Sequence, residues 1–313
     1  MTTGQRLCVA LGGNALQSSK SKGTWAETTE AARGAMEQLS KLVVEGHNLV
    51  LTHGNGPQVG SLLIQNEKAS DAVPPLPLPT CGAQTQGYIG YLLQQELGNA
   101  LRAQNIEPTV ATVVTQTVVS LDDPAWENPT KPIGPFYTEE KAKALEAEGK
   151  VVKEDSGRGY RQVVASPQPM VLSEKKAILN LVNAGFTVIC SGGGGVPCIE
   201  REGRLVGVDA VIDKDLSSAI LAKETNADVL MILTDVETCM KDFRSDNPIA
   251  LRHLTIESAE ELIKGGEFGA GSMGPKVQAA VNFVKTTGRK AIITSLHKVA
   301  EALRDETGTH ITA

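Results

Sequence analysis

Leu7-Cys8-Val9-Ala10-Leu11 runs directly into Gly12-Gly13-Asn14, and this junction sets the reading of the whole chain. Five apolar residues in a row suit a strand buried on both faces, and a glycine loop at its end suits the carboxyl edge of a parallel sheet. The pattern recurs. Asn48–Leu51, Thr109–Val114, Phe186–Ile189, Val229–Leu233 and Ala291–Ile293 are further short runs rich in Val, Ile and Leu. Between them Thr28–Val44, Gln84–Arg102, Ser173–Asn183, Ser217–Lys223 and Lys276–Lys285 read as helices. The last carries Val277, Ala280, Val281 and Val284 on one face. Strand–helix alternation along the chain predicts an α/β protein on a mostly parallel central sheet.

Two stretches break the rhythm. Val73–Thr80 (VPPLPLPT) has four prolines in eight residues and reads as an extended loop. Ser120–Pro169 reads as an inserted subdomain with a charged helix near Glu139–Glu148. It holds Trp126, Phe136, Tyr137 and Tyr160, four of the chain's eleven aromatic residues, too many for a linker.

The 313 residues include 30 basic and 36 acidic ones, a net charge of −6, which lacks the basic footprint of a nucleic-acid binder. Five scattered cysteines without a CxxC pair argue against a disulfide framework or zinc ribbon and fit a reducing compartment. The apolar run after Arg6 is too short for a signal peptide, and nothing approaches the ~20 apolar residues of a membrane span. The expectation is a cytoplasmic protein with neither nucleic-acid nor membrane partners.

There are 31 glycines, and they cluster at strand ends: Gly12-Gly13, then Gly54 and Gly56 after His53, then Gly192–Gly195 after Ser191. Glycine lets backbone amides converge on an anion with no side chain in the way, and parallel sheets bind ligands at this edge. Gly269-Ala-Gly-Ser-Met-Gly274 fits GxGxxG literally, but no strand precedes it; the flank is a helix, Ile256–Lys264. Pro275 separates it from Lys276, so it is not a P-loop either. It reads as a glycine loop entering a helix with Pro275 in the first turn.

Three lysines stand where lysines are unexpected. Lys276 lies at the positive end of a helix, where a cation costs a few tenths to ~1 kcal/mol unless an anion sits beside it. Lys214, in Asp213-Lys214-Asp215, follows a strand-like run Val208–Ile212 and is placed to be held, charged, between two carboxylates. Lys131 is gripped between prolines in Asn128–Pro135 and is aimed rather than free. With the glycine loops they point to phosphoryl transfer. His53 reads as a strand-end histidine bonded to backbone, and Trp126 and Tyr137 as packing residues of the insertion.

LGGNAL (11–16), THGNGPQVG (52–60), NPTKPIGPFY (128–137), EDSGRGYR (154–161), SGGGG (191–195), AVIDKD (210–215) and GSMGPK (271–276) together resemble the carbamate kinases of the amino acid kinase superfamily, from about residue 6 to 296. The resemblance implies a three-layer α/β/α sandwich over residues 1–313, its N-terminal half binding carbamoyl phosphate or carbamate and its C-terminal half nucleotide. It also implies a lid-like insertion at 120–169 and a homodimer. The implied reaction is carbamoyl phosphate + ADP ⇌ carbamate + ATP, with Mg²⁺ held mainly by the nucleotide phosphates, and ATP supply in arginine fermentation as its setting. Gly12, Gly13 and Asn14 would hold the transferring phosphoryl, and Gly54 and Asn55 the carbamate end. Lys131, Lys214 and Lys276 would act on the phosphoryl, and Asp215 would orient lysines. Gly193, Gly194, Asp213, Asp235, Met273 and Gly274 would serve the nucleotide. Cys239, close to that edge, reads as an inert, partly buried thiol, the sharper alternative being a reactive one whose modification blocks ADP binding. Gln162, Gln168 and Gly269-Ala270 depart from the family pattern. The alternatives are a sister kinase acting on N-acetylglutamate or UMP, which the NPTKPIGPFY stretch opposes, and a dead nucleotide sensor, which the three lysines oppose.

Overall fold

A computed structural model describes residues 4–13, 16–17, 21–155, 157–243, 245–269 and 273–313. All six expected strands lie in one eight-stranded sheet. Its order is His253–Thr255, Thr309–Thr312, Lys290–Ser295, Val229–Thr234, Arg6–Leu11, Asn48–His53, Thr187–Cys190, Val110–Val113. Every pairing is parallel except that of Lys290–Ser295 with Thr309–Thr312. The two further strands, HLT and THIT, are short and polar, so they carry no apolar run for sequence reading to detect.

Alternate residues of each central strand feed opposite cores. Cys8 and Ala10 face one cluster, with Ile178, Leu221, Val281 and Phe283 from helices on that side. Leu7, Val9 and Leu11 face the other, with Met36, Leu39, Leu92 and Leu97. The period of two in the strands therefore meets the period of 3.6 in helices on both faces, which makes the three-layer sandwich.

Helix boundaries shift at two places. The proline stretch is extended only as far as Pro77; Leu78–Arg102 is one helix, because a proline in the first turn, here Pro79, lacks only an amide that has no partner there anyway. Gly56–Ala69, for which the sequence raises no expectation, is also helical, with Pro57 at its start. Val208–Ile212 is not a strand; it makes one isolated bridge, Ala210 with Ala165.

Residues 120–169 contain a separate antiparallel sheet, Lys131–Tyr137 with Tyr160–Val164 and Val152–Glu154, and a helix Glu139–Ala147 capped by Thr138. Ile133 and Val164 pack on Val59 and Leu63 of helix Gly56–Ala69 and on Leu78. Tyr137 is not buried within the insertion: its hydroxyl donates to Glu67 of that helix at 3.1 Å. Trp126 packs beside Val119, Ile199 and Ile212, and its indole donates to Ser120 O.

Candidate active site

Three strand-end loops converge, as the glycine pattern suggested. The Gly54 amide donates to Leu11 O at 3.3 Å, and a Cβ on Gly54 would stand 3.2 Å from Gly13 Cα. Gly193, at φ 65°, has the Asn55 side chain where its own Cβ would be. A Cβ at Gly54 would crowd Gly13, and at Gly193 both the Asn55 side chain and the left-handed conformation favour glycine. Asn55 donates to Thr85 Oγ1 at 2.9 Å instead of capping helix Gly56–Ala69, which begins without a side-chain cap. Asn14 lies outside the described residues.

His53 is buried and its Nδ1 lies 3.0 Å from Gly54 O. Burial, opposed by the Gly54 bond and aided by the charge of Lys214, lowers its pKa to about 4. It is neutral near pH 7, and its bond to backbone is the one the sequence indicated.

Beside the loops, helix Lys214–Glu224 begins under an Asp213 cap, with Asp213 Oδ1 accepting from the amides of Asp215 and Leu216 at 3.0 and 3.4 Å. Asp215, 4% exposed, receives Lys214 on Oδ1 and Lys276 on Oδ2, the latter at 2.9 Å. Lys276 sits in the first turn of helix Met273–Thr287, so Asp215 supplies the anion that its position demanded. Burial raises the Asp215 pKa, but the two ammoniums outweigh it and the carboxyl is held below its ordinary value. Burial, reinforced by Lys276, outweighs the charges of Asp215 and Asp213 and lowers the Lys214 pKa from its ordinary value. Lys214 bonds Asp215, while Asp213, whose charge also acts on Lys214, gives its Oδ2 to Lys131 from the inserted sheet, at 3.1 Å.

A cleft of about 850 Å³ adjoins the loops, with Gly12 and Gly13 in its wall. Asp235, Met273 and Lys276 line it, as does Gly269. Gly274 lies next to Met273, its amide donating to Gly269 O at 3.1 Å. Gly193, Gly194 and Asp213 do not line this cleft. Gly194 O instead accepts from the buried hydroxyls of Thr117 and Ser217, at 2.7 and 3.0 Å. Thr238, Met240, Phe243 and Phe268 are cleft residues that sequence reasoning misses. The first two follow strand Val229–Thr234 under the same strand-end rule that exposed the other loops. The two phenylalanines sit in irregular segments with no period to betray them.

Cys239 is buried behind the cleft, its thiol 3.5 Å from Met273 Sδ, and burial pushes its pKa up to about 11. Reaction there requires both exposure and loss of a proton. Gln162 lies within the inserted sheet opposite Ile133 and Val152, the Gln168 amide donates to Asp123, and Ala270 is outside the described residues.

A sheet with glycine loops at its carboxyl edge, two lysines on one buried aspartate and an adjoining cleft define a phosphotransferase, and the amino acid kinase family model matches residues 5–295. Carbamate kinase of Trichomonas vaginalis is 53% identical over 310 residues, 98% of this chain and 99% of its own. Carbamate kinase of Giardia lamblia bound to AMP-PNP superposes with a TM-score of 0.96 at 44% identity, covering 100% of this chain and 99% of that one. The same enzyme thiocarbamoylated by disulfiram on a cysteine superposes at 0.94, again 44% identical, over 99% of each chain. The chain belongs to the amino acid kinase family, among its carbamate kinases.

Proposed function

We propose that this chain transfers a phosphoryl group reversibly between carbamoyl phosphate and ADP, giving carbamate and ATP. The observation that carries the reading is the single carboxylate of Asp215 holding Lys214 and Lys276 between the glycine loops and the cleft. One buried carboxylate with two ammoniums leaves a net positive charge facing the loops, suited to a phosphoryl group in flight. Carbamate is already an anion, so no general base is needed, and the site offers donors and cations rather than a base. Gly12 and Gly13 present backbone to the transferring group, Gly54 and Asn55 stand at the carbamate end, and Lys131 reaches the rim from the insertion. The cleft holds the nucleotide over Asp235 and Met273. Oxygen donors along it (Thr234, Asp235, Thr238, Asp242) suit a hard divalent cation carried on the nucleotide phosphates. Mg²⁺ bound there would neutralise phosphate charge, while the lysines bind and orient the group transferred.

The insertion serves as a lid in this reading, and the chain works as a cytoplasmic homodimer that supplies ATP in arginine fermentation. The test is ATP formation from the purified chain with ADP, Mg²⁺ and carbamoyl phosphate. Lys214→Ala and Lys276→Ala should each lower turnover roughly 10²–10³-fold, about 3–4 kcal/mol by analogy with loss of one oxyanion-hole donor. No ATP above background from the wild-type chain, or lysine variants as fast as it, would overturn the reading.

A further inference from the structure

We infer that Asp213 is a positioning residue that couples the inserted sheet to the catalytic helix by holding Lys131. The inference rests on the phosphoryl-transfer reading above. The two oxygens of this carboxylate do different work. Oδ1 caps helix Lys214–Glu224, the helix that presents Lys214 and Asp215, whereas Oδ2 lies 3.1 Å from the Lys131 ammonium. Lys131 is the first residue of the inserted strand Lys131–Tyr137, so one side chain ties the insertion to the start of the catalytic helix.

A second contact marks the same place. The Val211 amide donates to Ala165 O at 3.0 Å, joining the segment before Asp213 to the end of the inserted strand Tyr160–Val164. Backbone and side chain thus meet the insertion within three residues of each other. The Lys131 side chain is 35% exposed and that of Asp213 15%, so the pair stands at a rim where an incoming phosphate can exchange with the carboxylate for the ammonium. Asp213 keeps Lys131 extended toward that exchange, which spares the substrate the cost of ordering a long side chain. It does not line the nucleotide cleft, and its effect should fall on carbamoyl phosphate.

Asp213→Asn separates the two duties, because asparagine caps a helix about as well as aspartate but carries no charge for Lys131. The variant should lose three- to tenfold in kcat/KM for carbamoyl phosphate, keep its KM for ADP within twofold, and melt at the wild-type temperature. In a Lys131→Ala background the same substitution should lose under twofold, the remainder of its charge on Lys214, as expected of two residues acting mainly through one contact. Amides of Lys131–Tyr137 should exchange with deuterium faster in both single variants than in the wild type. Unchanged kinetics in Asp213→Asn, an equal loss when Lys131 is already absent, a shift in ADP KM instead, or unaltered exchange would each overturn the inference. If the wild-type chain forms no ATP, the functional reading fails and the exchange measurement alone decides whether Asp213 holds the insertion.

Discussion

His53 shows how burial decides a residue's role. Its folded pKa of about 4 lies below the ordinary 6.5, so between these values the unfolded chain binds a proton that the native chain refuses. Stability contributed by this residue is complete above pH 6.5 and is lost as pH falls toward 4, in total on the order of 3 kcal/mol. A His53→Gln variant should therefore lose stability less steeply than the wild type from pH 6.5 to 4 in urea titrations; parallel slopes would contradict this. The candidate site residues are legible in the sequence to different degrees. Lys276 and Lys214 stand out because a lysine at a helix start is unfavourable alone, and Asp215 resolves that for both. Asp213 misleads, because two acids flanking a lysine in sequence say nothing of where each carboxylate turns. Its partner, Lys131, comes from 82 residues away in the chain.

At the scale of elements, the six central strands can be read because both of their faces are buried, which forces continuous Val, Ile and Leu. Helix Gly56–Ala69 cannot: it buries only Gln58 and Val59, and its outer face carries no clear apolar stripe. The insertion can be recognised as foreign to the α/β rhythm, but its docking on Val59 and Leu63 depends on contacts that no local pattern records. Helix Leu78–Arg102 is held close to strand Val110–Val113 by a missing side chain. A Cβ at Gly90 would come within 3 Å of the stiff, β-branched Thr112. Gly90→Ala should destabilise the chain by about 1–3 kcal/mol despite the better helix propensity of alanine. A chemical-denaturation midpoint equal to or above the wild type would show that the helix can retreat without cost.

At the scale of the molecule, the sheet interleaves distant parts of the chain. Thr309–Thr312 lies between His253–Thr255 and Lys290–Ser295, and the Thr309 hydroxyl receives the Cys239 amide at 2.8 Å while donating to Leu251 O at 2.6 Å. Deleting residues 309–313 should therefore raise the KM for ADP more than that for carbamoyl phosphate, through Cys239 and Met273 at the back of the cleft. Equal effects on both substrates would mean that the last strand supports the sheet alone. The central strand has a consequence in time. Arg6–Leu11 is made before the other strands, yet one of its two neighbours is Val229–Thr234, more than two hundred residues later. At ~5–20 residues per second of synthesis, the first strand waits on the order of 10–40 s on the ribosome with one edge bare. For that interval an apolar strand edge is a template for wrong pairing, and a nascent chain of this design depends on being shielded until its second half arrives.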